Sequence, residues 1–221
     1  STSVLRLVVN AVAVPCAAHA CSRIVDAQET IAHVDLCAGI GGFSCAMKRV
    51  CPSTRCVGFS EIDSAAIRCF QSNFSDAVAL GDAEKVTEWP RCDVITAGFP
   101  CQPFSGANSR RRRDAHAKKD FFLTVCEAVK RTEAQRIVLE NVQNLLTVGR
   151  VRFDEMIRLL EAMGFQTAYA VLNAAHFGVA QKRKRLYIIG RRDGGLIRPL
   201  DDYTPMNSRT LSHVLETPEP Q

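Results

Sequence analysis

Short apolar runs alternate with amphipathic stretches along most of the chain, and this alternation constrains the fold more than any other feature. The runs predict strands at His33–Cys37, Arg55–Ser60, Ala77–Leu80, Asp93–Ala97, Arg136–Glu140, Thr167–Asn173 and Leu186–Gly190. Helical spacing of apolar residues predicts helices at Phe43–Val50, Ser64–Asn73, Phe121–Arg131 and Phe153–Met163. Strands that alternate with helices build an α/β domain, here a doubly wound, mostly parallel sheet of Rossmann-like type with helices on both faces. A chain of 221 residues is long enough for one such domain with its own core. In such sheets ligands bind beyond the carboxyl ends of the strands, so the residues just after each strand are where chemistry is to be sought.

Composition removes several classes. With 47% apolar and 23% charged residues the chain is neither disordered nor coiled coil. The net charge of +5 is mild, but the basic residues cluster. Arg110 to Arg113 with Lys118 and Lys119 form one group, and Lys182 to Arg185 with Arg191 and Arg192 another, both suited to phosphates. The ten cysteines show neither the spacing of a zinc site nor the loop-rich setting of a disulfide scaffold. Most are expected as reduced, buried thiols in an intracellular compartment, nuclear in a eukaryote or cytoplasmic in a bacterium. No metal site is expected. The apolar run from Val4 to Val14 is interrupted by Arg6 and Asn10, which favours a helix or strand ahead of the core, or a truncated start, over a signal peptide or membrane span.

Four strand ends carry the chemistry. Cys37, Ala38, Gly39, Ile40, Gly41 and Gly42 form a Gly-rich turn between a strand and a helix, where backbone can approach a ligand closely. Ser44 occupies the third position of a dinucleotide fingerprint, which disfavours a nicotinamide or flavin site. Glu61 ends the next strand about twenty residues on, where a carboxylate can accept from ribose hydroxyls, so the pair points to a nucleoside-containing cofactor. Asp82 ends the third strand and is suited either to an adenine amino group or to capping a helix. Finally, Pro100, Cys101, Gln102, Pro103, Phe104 and Ser105 follow the fourth strand, and the two prolines hold Cys101 on a stiff turn.

In this order and spacing the motifs resemble the catalytic half of a cytosine-C5 DNA methyltransferase. The resemblance runs from Asp35 to Arg191 through the turn, Glu61, Gly81-Asp82, Pro100-Cys101-Gln102, Glu140-Asn141-Val142 and Gln181 to Arg185. It implies that the turn with Glu61, Ile62, Asp82 and Pro100 binds S-adenosylmethionine. It further implies that Cys101 attacks C6 of a cytosine flipped out of duplex DNA, with Glu140 on N3 and N4 and with Arg183 and Arg185 near the base O2 and the nucleophile. Gln102, Ser105, Arg110, Arg111 and Gln181 would contact the nucleic acid, the stretch from Gln102 to Lys119 corresponding to the family's mobile loop.

Several departures accompany it. Cys37 stands where relatives commonly carry Phe, and the four-arginine run replaces a Gly-rich pattern. The target-recognition domain and the final family motifs, which return to support the cofactor and catalytic sites, are not found. These observations divide the chain into an N-terminal extension over residues 1–31, a cofactor-binding and catalytic domain over 32–200, and a linker or start of a recognition domain over 201–221. A second polypeptide supplying recognition is a candidate partner beside DNA, and no membrane is expected. An RNA-directed enzyme of the same family and an inactive binding relic remain as alternatives.

Overall fold

A computed structural model describes residues 11–99 and 120–206. Its centre is a seven-stranded sheet of β1 (Ala32–Leu36), β2 (Arg55–Ser60), β3 (Val78–Gly81), β4 (Val94–Gly98), β5 (Arg136–Val142), β6 (Gln166–Asn173) and β7 (Lys184–Arg191), in the order β3-β2-β1-β4-β5-β7-β6. The first five strands pair in parallel, and β7 runs antiparallel to both β5 and β6. The helices are α1 (Val14–Cys21), α2 (Gly42–Val50), α3 (Ser64–Asn73), α4 (Phe121–Thr132) and α5 (Arg150–Ala162).

The two-residue period of the strands sorts their side chains between two cores. Val34, Leu36, Ile95, Ala97, Ile137, Leu139 and Ile188 face α4 and α5, meeting Phe122, Val125, Phe153 and Leu160. Val94, Val138, Tyr187 and Ile189 face α1 and α2, meeting Cys16, Ala20, Phe43 and Met47. Both faces are therefore covered, which is why these strands are nearly continuous apolar runs.

All seven predicted strands and all four predicted helices occur, with ends moved by a few residues. The largest differences are β7, which begins at Lys184 and so takes Arg185 into the sheet, and α5, which begins at Arg150. The segment expected as an N-terminal extension packs into the core: Pro15 lies in the first turn of α1, and Cys16, Ala17, Ala20 and Cys21 are buried together with Ile24, Val25 and Ile31. Near the other end, Leu200 is buried, its carbonyl accepts from His19 Nε2 at 2.8 Å, and the ring of Tyr203 packs at a tilt against Phe177. Arg136 on β5 holds both Glu29 and Asp193 at 2.7 Å, tying the chain ahead of β1 to the chain beyond β7.

Nine cysteines lie among the described residues and all are free. Six are buried, Cys37 is half-buried, and Cys45 and Cys69 are exposed. Among the described residues no helix is long and apolar enough to cross a membrane, and no cluster of His, Cys, Asp and Glu is suited to a metal ion.

Candidate active site

The strand order reverses at β1, whose neighbours are β2 on one side and β4 on the other. The helices that follow these two strands, α2 and α4, pack on opposite faces of the sheet, and in such sheets the crevice for a ligand lies beyond the carboxyl ends of the two strands. The Gly-rich turn enters it from β1. Cys37, Gly39 and Gly41 have φ of 52°, 55° and 93°, a left-handed path that glycine follows without strain and Cys37 follows at a cost. A Cβ on Gly41 would lie 2.9 Å from a ring carbon of Phe74, so this position excludes a side chain on two counts. At Gly39, in contrast, a Cβ would meet nothing within 4 Å among the described residues, so these residues leave the turn open there.

Glu61 braces this turn. Its Oε2 accepts from Gly39 N at 2.9 Å, and its Oε1 from Ile62 N at 2.8 Å and Asp63 N at 2.9 Å. Each carboxylate oxygen can accept two bonds, so Oε2 retains acceptor capacity beside the open turn. Ile62 follows with 78% of its surface exposed, an apolar face suited to a planar ring. Asp82 behaves as a cap, its Oδ1 accepting from Glu84 N at 3.1 Å.

Beneath the turn lies a group whose importance the sequence reading missed. Asp35, wholly buried on β1, accepts from Thr96 Oγ1 of β4 at 2.8 Å and from Ser44 Oγ of α2 at 2.9 Å. Burial pushes its pKa up to about 7, against the pull of those two bonds. A carboxyl within an apolar strand, nine residues before a serine at the start of a helix, was the available signal.

The second wall comes from β4, β5 and β7. Glu140 pairs in register with Gly98 on one side and Tyr187 on the other. Only 8% of its surface is exposed, and Arg185 Nε lies 3.0 Å from its Oε1. That contact is a close ion pair at the carboxyl end of β5. Burial raises the Glu140 pKa above the ordinary value, opposed by Arg185 and Arg183. Gly98 has no side chain, and the room this leaves is taken by Val12: a Cβ there would sit 3.2 Å from Val12 Cγ2, 3.7 Å from Glu140 Oε2 and 3.8 Å from Phe43 of α2. Asn141 was quoted as part of a motif without a role. Its Nδ2 donates to Phe99 O at 3.3 Å, which fixes the chain just as it leaves β4.

The tertiary structure thus brings the turn, Glu61, Gly98, Glu140 and Arg185 to one end of the sheet. Gln181 is exposed on the approach to β7, where Arg183 is half-buried. Pro100, Cys101, Gln102, Ser105, Arg110 and Arg111 lie outside the described residues.

Residues 31–217 match the family model for C-5 cytosine-specific DNA methylase. The chain belongs to this family. Type II methyltransferase M.BanI of Aneurinibacillus aneurinilyticus is 38% identical over 165 residues, covering 72% of this chain and 38% of the bacterial methylase. M.NlaIV of Neisseria lactamica is 31% identical over 205 residues, covering 86% of this chain and 47% of its own length. The chain therefore spans less than half the length of these two methylases. Among solved structures it resembles a putative DNA modification methyltransferase of an E. coli prophage, at a TM-score of 0.67 and 20% identity, over 86% of this chain and 56% of that one. A Spodoptera frugiperda DNMT2 mutant aligns at 0.58 and 22% identity, over 81% and 56% respectively. At such identities these two likenesses concern the fold, and they agree with the methylase sheet described above.

Proposed function

We propose that residues 32–200 form the cofactor-binding and catalytic domain of a DNA (cytosine-5-)-methyltransferase, which transfers a methyl group from S-adenosylmethionine to C5 of a flipped-out cytosine. The observation that carries this reading is Glu140, a buried carboxyl with a raised pKa, held by Arg185 beside Gly98 at the carboxyl end of the parallel strands. Cytosine offers N3, which is protonated as charge develops, and N4, which donates. A carboxyl that can hold a proton and still accept meets both atoms.

The donor site fits S-adenosylmethionine: the open turn at Cys37–Gly42, the free capacity of Glu61 Oε2 and the exposed face of Ile62 would hold its ribose and adenine. When bound, that sulfonium supplies an electrophilic methyl group. The chain's own residues make the ring receptive to it. The Cys101 thiolate forms a bond to C6 while Glu140 gives its proton to N3, and the ring electrons then concentrate on C5. After methylation the C5 proton passes to solvent water, the electrons of that bond form the C5–C6 double bond and expel Cys101 as the thiolate, and N3 returns its proton to Glu140. Arg185 holds the carboxyl of Glu140 in place, and Arg183 adds positive charge beside it. Unstacking the base costs roughly a few kcal/mol, which contacts of Arg110 and Arg111 with phosphates would help to offset. Recognition of a target sequence is placed outside residues 32–200, on a further domain or a second polypeptide.

The test is mass-spectrometric detection of 5-methylcytosine after incubating the chain and S-adenosylmethionine with mixed-sequence duplex DNA and, separately, with tRNA. Methylated DNA, lost on Cys101→Ser while cofactor binding persists, is expected. Methylated tRNA alone would overturn the DNA assignment, and turnover retained by Cys101→Ser would overturn the nucleophile.

A further inference from the structure

The sheet ends at β6, which among the described residues has β7 as its strand partner. Half of the backbone N–H and C=O groups of an edge strand point away from the sheet, and folded proteins blunt such an edge with a charge, a proline, a bulge or a short strand. β6 has none of these: Gln166–Asn173 is eight residues long, carries no charged residue and no proline, and keeps an unbroken register with β7. The opposite edge strand, β3, is only four residues long. Tyr169, midway along β6, keeps 45% of its surface exposed; its ring meets Phe153 of α5 edge-on and closes a groove formed with Arg150, Asp154, Ile157 and Arg158. Residues 196–201 run along the other face of the same strand and leave Leu196 exposed.

The charges beside Tyr169 indicate what fits this edge. Asp154 and Arg158 lie one turn apart on either side of Met156, the middle residue of α5. Asp154 is held by Arg150 at 2.8 Å, whereas Arg158 has no ionic partner among the described residues. A two-fold axis perpendicular to the sheet at Tyr169 sets β6 antiparallel to β6 of a second copy, and α5 antiparallel to its counterpart. Side chains directly opposite in an antiparallel pair share a face, so Tyr169 then opposes Tyr169, and Asp154 of each copy faces Arg158 of the other. We infer that the β6 edge is an interaction surface and that its occupant is a second copy of this chain, the two sheets joining through β6 into one. An uncharged edge accepts any strand; a row of charges that complements itself under two-fold rotation selects this one. Rotation about that axis leaves the two crevices at opposite ends of the joined sheet, so each copy keeps its own site.

The experiment is sedimentation velocity of the full chain at concentrations up to about 100 μM, with a thermal melt of every variant. The wild type is expected to sediment as a dimer at the upper end of that range. Tyr169→Lys places a charge on the edge, and Arg158→Asp sets acid against acid on both sides of the axis; each is expected to weaken dimerisation at least about tenfold. Arg158 lies on the surface, so its variant remains informative if Tyr169→Lys fails to fold. Exchanging the two charges, Asp154→Arg with Arg158→Asp, restores opposite signs across the axis and is expected to recover affinity to within about threefold of wild type. Val78→Lys, at an exposed position on the β3 edge, is expected to leave it within about twofold. A wild type that stays monomeric at about 100 μM would overturn the inference, even if a different polypeptide paired with the edge. Dimers that survive Arg158→Asp, that charge exchange does not recover, or that Val78→Lys weakens equally would overturn it as well.

Discussion

Replacing Asp35 with Asn isolates the buried carboxyl beneath the cofactor turn. The group lies on β1 and faces Ser44 and Cys45 of α2, Thr96 of β4, Cys56 of β2, Cys21 of α1 and the Glu61 carboxylate, with His33 two residues before it. Burial holds the imidazole of His33 down at about 3, so it offers Asp35 no positive charge at neutral pH. The pKa of Asp35 rises from the ordinary 3.8 to about 7 on folding, so the folded state prefers the protonated form. Its contribution to stability is full below 3.8, declines as pH rises, and is lost once pH passes about 7. At 1.36 kcal/mol per unit, the decline amounts to about 4 kcal/mol across that window. Asn has nearly the same shape, offers an oxygen to Thr96 and Ser44, and carries no titrating proton. Urea unfolding of wild type and Asp35→Asn at a series of pH values provides the assay. The wild-type stability, taken relative to the variant, is expected to fall by about 1.4 kcal/mol per unit between about pH 4.5 and pH 7 and to level off above. Parallel curves would refute the reasoning, since they would mean that Asp35 ionises alike in the folded and unfolded chain.

Other expectations concern the crevice and its frame. Glu140→Gln cannot give a proton to N3 and is expected to lower the single-turnover rate of methyl transfer by about a hundredfold or more while leaving calorimetric cofactor affinity unchanged. Glu61→Ala removes the brace of Gly39 N together with the ribose acceptor, and titration should show S-adenosylmethionine binding weakened at least about tenfold. Arg136→Met leaves Glu29 and Asp193 without their shared partner, and urea denaturation should show a loss of about 2 kcal/mol or more.

Strand and helix positions were legible because the central strands β1, β4, β5 and β7 carry runs of residues buried on both faces and each helix a repeating apolar stripe, signals written locally in the chain. The Gly-rich turn and Glu61 were legible for a similar reason, since a turn needing positive φ at Gly39 and Gly41 and a carboxylate that ends the next strand lie close in sequence. The antiparallel insertion of β7 between β5 and β6 was not, because strand order depends on which edges meet, and β7 carries the same apolar pattern as the parallel strands of the sheet. That insertion is what sets Arg185 against Glu140 across a gap of 45 residues. Asp35 and Val12 were hidden for a related reason. An aspartate in a strand and a valine ahead of a helix are ordinary residues until long-range packing decides what surrounds them. Only the folded chain closes Ser44 and Thr96 around the carboxyl and seats the valine between Gly42 and Gly98. Local periodicity decided the elements and the chemical types at their ends, whereas burial and the neighbours gained through the sheet decided which of those groups hold a proton or pair with a charge.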